Sequence, residues 1–143
     1  MKYFLTTILC IYFFNYVVHA QQLYINEIMS ANTSVLYDHE GDTPDWIELF
    51  NYGTDTICLR NYFLSDNKDD LEKWRFPEIS IYPSEYKIVY ASGKDITTNS
   101  EIHTNFSIDS DGEEILLSDS AGVIIQRFLP IKLSENISFG SKP

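Results

Sequence analysis

Residues 46–51 read Trp46-Ile47-Glu48-Leu49-Phe50-Asn51, and Tyr52-Gly53 follows. In an extended segment successive side chains point to opposite faces, so Trp46, Glu48 and Phe50 share one face and Ile47 and Leu49 the other. Ile47 and Leu49 are the core candidates. Trp46 and Phe50 flank Glu48, whose carboxylate is then partly desolvated and needs a partner. Arg75, inside Trp74-Arg75-Phe76-Pro77, is the partner this reading assigns. Asn51 closes the turn before Gly53 through its side chain.

Working outward, other short β-type segments are separated by turn signals. Upstream lies Leu23 to Met29. Downstream come Thr56 to Leu59, Tyr62 to Leu64, Lys73 to Phe76, Tyr86 to Ala91, His103 to Ile108, Glu114 to Leu117 and Val123 to Phe128. The last two flank Asp119-Ser120-Ala121-Gly122, a hairpin loop whose glycine stands where a positive φ is needed. Asp111-Gly112 is a further turn. Turn signals about every 8–12 residues, with no 3.6-residue apolar period, predict an all-β sandwich or barrel. Its strands are antiparallel, since parallel crossovers need helices that the pattern lacks. Residues 94–102 are the most loop-like internal stretch.

Length and charge bound the function. The chain has 143 residues, enough for one domain. Lys plus Arg total 10 against 21 Asp plus Glu, a formal charge of −11. Such a chain is repelled by phosphate backbones and anionic membrane surfaces. Residues 1–20, MKYFLTTILCIYFFNYVVHA, place Lys2 before an apolar run and end on Val18-His19-Ala20. This is the pattern of a secretory signal peptide cut after Ala20. The alternative is a retained anchor, but Thr6, Thr7 and Asn15 interrupt a run already marginal against the ~20 residues a span needs. Cleavage implies a secreted or cell-surface protein with no membrane insertion afterwards. Losing Lys2 takes the charge from −11 to −12 and leaves Cys58 as the one cysteine, so no intrachain disulfide can form. Cys58, between Ile57 and Leu59, reads as a small buried hydrophobe.

The motifs occur in a telling order. NEIMSAN from Asn26 precedes an acidic stretch YDHEGDTPD and then WIELFN. Leu64-Ser65-Asp66, Trp74-Arg75-Phe76-Pro77, KIVYASGKD at 87–95 and HTNFSIDSDGEEILLSDSAG at 103–122 follow. This order resembles the lamin-tail domain family in its bacterial secreted form, over roughly residues 22–130. The resemblance implies an immunoglobulin-like antiparallel β-sandwich. It also implies an accessory, noncatalytic interaction module carried by a larger exported protein. The motif residues are Glu27, Asn32, Asp45, Trp46, Glu48, Asn51, Trp74 and Arg75. Nuclear lamins bind proteins and DNA through a basic surface of this fold. The present sequence has no Lys/Arg cluster, so nucleic acid is not an expected partner. Residues 21–130 form the domain on this reading. Residues 131–143 are a tail with no strand partner, the start of a linker or of a further domain.

Chemistry-bearing residues are few. Asp38-His39-Glu40-Gly41-Asp42-Thr43-Pro44-Asp45 offers hard oxygen ligands on a flexible loop, which names Asp38, Glu40, Asp42 and Asp45 as calcium candidates, with Glu27 as an added ligand. The spacing is not that of an EF-hand, and the competing reading is a solvated acidic loop in which Asp45 caps the turn before Trp46. No other cofactor is expected. His39 and His103 are far apart, no Cys/His group has zinc-ligand spacing, and no G-x-S-x-G elbow or Gly-rich phosphate loop occurs. The chain is therefore not expected to be an enzyme. Asn32, Asn105 and Asn136 begin N-glycosylation patterns, idle in a bacterial chain. The expected partner is a protein or cell-surface ligand, downstream domains of the same polypeptide included. The alternative is a carbohydrate-binding or calcium-dependent adhesion module, with Trp46, Trp74, Tyr82 and Tyr90 as the stacking candidates.

Overall fold

The structure, a computed structural model, describes residues 22–98 and 100–141. The expected signal peptide lies outside the described residues. Ten strands follow in chain order: β1 Leu23–Met29, β2 Asp45–Asn51, β3 Ile57–Cys58, β4 Tyr62–Ser65, β5 Trp74–Arg75, β6 Ser80–Ile81, β7 Tyr86–Ala91, β8 Ile115–Asp119, β9 Ile124–Phe128 and β10 Phe139–Gly140. Among the described residues the one helical element is a 3-10 turn at Leu59–Asn61. One sheet has the order β10-β1-β2-β7, a second β5-β4-β8-β9, and β3 pairs with β6. Every named strand pairing is antiparallel.

Alternation along β2 builds the interior. Ile47 and Leu49 are fully buried, and they meet Ile25, Val89, Leu64, Ile115, Leu117 and Phe128 in one core that joins the two larger sheets. The other face of β2 is covered at one end as well. Trp46 packs with Met29 and Tyr90 in a second, smaller cluster under Leu36. That cluster forms because residues 31–44 fold back across the sheet, and the Tyr90 hydroxyl donates to the Tyr37 carbonyl at 3.0 Å.

Asn51 is fully buried and closes its turn as the sequence predicts. Its Oδ1 accepts from Gly53 N–H at 2.9 Å, while Nδ2 donates to the carbonyls of Asp55 and Ile81. Gly122 adopts φ +75° in the β8–β9 hairpin, where Asp119 accepts from the Ala121 and Val123 amides.

The structure corrects several expectations. His103 to Ile108 is not a strand; it meets β7 and the following turn through the isolated bridges Tyr90–His103 and Ser92–Ser107. Thr104 and Phe106 turn inward there, and Thr104 Oγ1 is consumed by the Phe106 carbonyl. Cys58 is half-buried, because β3 is a two-residue edge strand. The expected partnerless tail has a partner: β10 pairs with β1 at Glu27–Gly140 and Ile28–Phe139. The chain reaches β10 by crossing Gly112, where a Cβ would lie 2.5 Å from the Ile131 backbone.

β10 pairs with β1 at Glu27 and Ile28, beyond a register shift that follows Ile25, and the Ile25 amide is met by the Gln126 side chain of β9. Its Oε1 accepts from Ile25 N–H at 2.6 Å, and its Nε2 donates to the Ile25 carbonyl and to Ser141 Oγ, each at 3.0 Å. One amide thus ties the two sheets and the C-terminal strand together. Gln126→Leu orphans a buried N–H, which costs about 1–3 kcal/mol. The expected result is a lower urea midpoint with an unchanged m-value, measured by tryptophan fluorescence.

Candidate functional site

The covering segment 31–44 is organised by Asn32. Its Oδ1 accepts from Val35 and Leu36 N–H, and its Nδ2 donates to the carbonyls of Leu36 and Pro44 at 2.6 and 2.8 Å. Its backbone N–H donates to Asp45 Oδ1 at 2.9 Å. Asp45 therefore caps the segment where it rejoins the sheet. Burial raises the Asp45 pKa and the Asn32 amide only partly offsets this. From the far end of the chain, Asn136 Oδ1 accepts from the amides of Thr33 and Ser34 at 2.9 and 3.1 Å, and its Nδ2 donates to Thr33 Oγ1. Two of the three glycosylation-pattern asparagines are thus structural hinges of one loop.

Fixed in this way, the loop aims alternate side chains in opposite directions. Asp38, Glu40 and Asp42 converge on the Lys94 ammonium at 2.6, 2.7 and 2.8 Å. Three of the four calcium candidates are therefore brought together, around a cation that the chain itself supplies. Asp45 is not among them, and Glu27 hydrogen-bonds Ser138 instead. Burial pushes the Asp38 carboxyl up, but Lys94 and the amides of Asp42 and Glu40 outweigh it and hold the group below its ordinary value of 3.8. The three carboxylates drive Lys94 well above its ordinary 10.5.

His39, between these acids, turns the other way. Its N–H and its Nδ1 meet Glu101 Oε2 at 3.0 and 2.7 Å. The His39 amide is the main reason that the Glu101 carboxyl lies below its usual range. His103 approaches the same carboxylate oxygen, its Nε2 3.7 Å away. The His103 ring is fully buried, stacked on Tyr90 at 4.9 Å, with Nδ1 2.9 Å from Ser92 Oγ. Nothing in the spacing of His39 and His103 signals this meeting. The parallel bridge between Tyr90 and His103 creates it.

The remaining motif residues lie apart from this end. Glu48 accepts from Asn26 Nδ2 at 2.7 Å, so its partner is not Arg75. Arg75 belongs to the other sheet, where Nε donates to the Arg60 carbonyl and the guanidinium covers Phe63. Trp74 is buried and donates from Nε1 to Asp95 Oδ1 at 3.1 Å. Of the proposed stacking residues, Trp46, Trp74 and Tyr90 are buried and Tyr82 alone is exposed, so they form no planar row. A different aromatic row crosses the open face of the first sheet: Tyr52, Tyr24, Phe50 and Tyr86, with neighbouring centroids 5.3, 5.7 and 4.2 Å apart. Sequence reading missed it because the row exists only in the register Tyr24–Phe50–Tyr86.

Away from the loops, β9 ends the second sheet. Beside it lies a groove of about 350 Å³ lined by Gln126–Ile131, Phe139 and Ser141. Leu129 is 66% exposed and Phe139 44%. Both belong to a surface completed by the tail that the sequence left without a partner.

The family model described as Lamin Tail Domain matches residues 19–130 of the chain. A search of curated proteins found no match.

The Lys94 cluster carries a pH signature. Asp38 titrates lower in the folded state, so its contribution is present above about pH 4 and is lost as the pH falls further. Lys94 titrates higher, so its contribution is present below about pH 10 and is lost as the pH rises through its folded value. Lys94→Met leaves three carboxylates facing one another. Its urea midpoint is expected to drop most at neutral pH and to approach that of the parent chain as the acids protonate, in denaturation curves taken across the acid range.

Proposed function

This chain belongs to the lamin tail domain family, and we propose that it is a noncatalytic, exported interaction module that docks a larger protein to a protein or cell-surface partner. The lamin tail domain is a noncatalytic immunoglobulin-like family, which supports the first part. The apolar leader at residues 1–20 supports export in the bacterial secreted manner, to the cell surface or the medium. A charge of −11 without a basic cluster argues against nucleic acid as the partner. Docking by this route requires no cofactor.

The observation that carries the reading is the β9 edge with its apolar groove. An edge strand presents unpaired main-chain donors and acceptors, and a neighbouring groove selects side chains at alternate positions. The occupant is an extended segment of a partner protein, apolar at every second residue and neutral or basic in between. It adds to β9 as a fifth strand of that sheet. Downstream domains of the same polypeptide qualify as the source of such a segment.

A second reading has one feature in its favour. The row Tyr52, Tyr24, Phe50 and Tyr86 leaves Tyr52 and Tyr86 45% and 53% exposed, a surface suited to stacking on sugar rings. A calcium-dependent version is less supported, since Lys94 already neutralises the acidic loop.

Selection of displayed random peptides on the chain from residue 21 onward tests the first reading. Enriched peptides are expected to alternate apolar residues, to shift the amide resonances of residues 124–131, and to bind at least about tenfold more weakly to Leu129→Lys. No enrichment, or shifts confined to other surfaces, overturns it. A glycan array separates the readings: binding lost in Tyr86→Ala and kept in Leu129→Lys assigns the module to carbohydrate.

A further inference from the structure

We propose that His39, Glu101 and His103 form a binding site for a single zinc-class divalent cation at the loop end of the sandwich. The site is independent of the β9 edge. Three side chains offer one ligand atom each, and these atoms all lie within 4.8 Å of one another. The second observation is His103 Nε2. It belongs to a fully buried ring, has no hydrogen-bond partner, and points at Glu101 Oε2 from 3.7 Å. That gap is too long for a hydrogen bond. A buried ring nitrogen left unpaired is costly. An ion between the two atoms removes the cost.

The geometry suits a small cation with tetrahedral preference. Zinc bonds of about 2.0–2.1 Å place neighbouring ligand atoms about 3.3 Å apart. The His103–Glu101 separation of 3.7 Å is close to this value. His39 Nδ1, 2.7 Å from Glu101, must retreat by about half an ångström, and its side chain is 54% exposed and free to do so. Ser92 Oγ meets His103 Nδ1 at 2.9 Å, and Tyr90 stacks on the ring. A partner on the second ring nitrogen is what fixes a metal-binding histidine in its tautomer and orientation. Two imidazoles and one carboxylate select a borderline ion over calcium, which takes oxygen ligands. A water completes the fourth position on the exposed side of His39. The bound ion clamps the covering loop to the segment after β7, because His39 comes from the first and Glu101 and His103 from the second.

Calorimetric titration of the untagged chain with zinc, with calcium as the comparison, tests this. One zinc per chain is expected, with a rise in thermal midpoint that calcium does not reproduce. Cobalt is expected to give the visible absorption of a tetrahedral nitrogen–oxygen site. His39→Ala removes an exposed ligand and leaves the buried ring in place. It is expected to weaken zinc by more than about tenfold, and Ser92→Ala by about tenfold through the second ring nitrogen. Asp42→Asn, in the Lys94 cluster, is expected to change nothing. Absence of zinc binding overturns the proposal, as does binding lost in Asp42→Asn and retained in His39→Ala.

Discussion

A strand buried along one face and at one end of the other constrains this molecule more than any other feature. Ile47 and Leu49 of β2 enter the core between the sheets, while Trp46 on the reverse face is nearly as inaccessible. An antiparallel sheet ordinarily turns that reverse face to water. Here an indole, a thioether and a phenol gather on it, and something must cover them. The covering is residues 31–44, and their path follows from that need. Asn32 supplies the local geometry, the Asp45 carboxylate receives the returning chain, and the acidic loop hangs beyond them. The charged cluster at this end of the sandwich is thus a consequence of where a tryptophan had to go.

Polar side chains replace the missing disulfide. Cys58 is the one cysteine among the described residues, and no covalent tie joins the sheets. Amide side chains do the equivalent work across long sequence separations. Gln126 bridges β9 to the β1 bulge, Asn136 fastens the tail to the 33–34 loop, and Asn51 joins its turn to β6. Each satisfies backbone groups that would be costly to bury unpaired. None of them adds charge to a surface already strongly acidic. Lys94 offsets that acidity at one point by meeting three carboxylates at once.

The strands were legible because alternation is local. Leu23 to Met29 and Tyr86 to Ala91 match their predicted bounds, and Ile47, Leu49 and Asn51 occupy the predicted positions. What the sequence concealed depends on pairing. A two-residue strand such as β6 or β10 has no periodicity of its own, so Phe139 and Gly140 looked like a loose end. The Arg75 assignment failed for a related reason. Proximity in a motif list says nothing about which sheet a residue joins, and Glu48 found a nearer neutral donor in Asn26 on the adjoining strand. The carboxylate needed a partner, as desolvation requires, but a bulge one strand away supplied it.

The acidic loop shows the same division between type and place. Its residue types suit a cation, and a cation does sit among them, an ammonium contributed by Lys94. The histidines look unrelated in the sequence because they stand on either side of β7. A tight turn explains the outcome for both. Gly41 N–H donates to the Asp38 carbonyl and Asp38 N–H to the Asp42 carbonyl, and from that turn Asp38, Glu40 and Asp42 reach Lys94 while His39 reaches Glu101. Once Lys94 fixes the acids on one side, the imidazole is delivered to the segment that the bridge at Tyr90 has already laid down. Two separate charge clusters therefore arise from a single loop, and holding either one in place also positions the other.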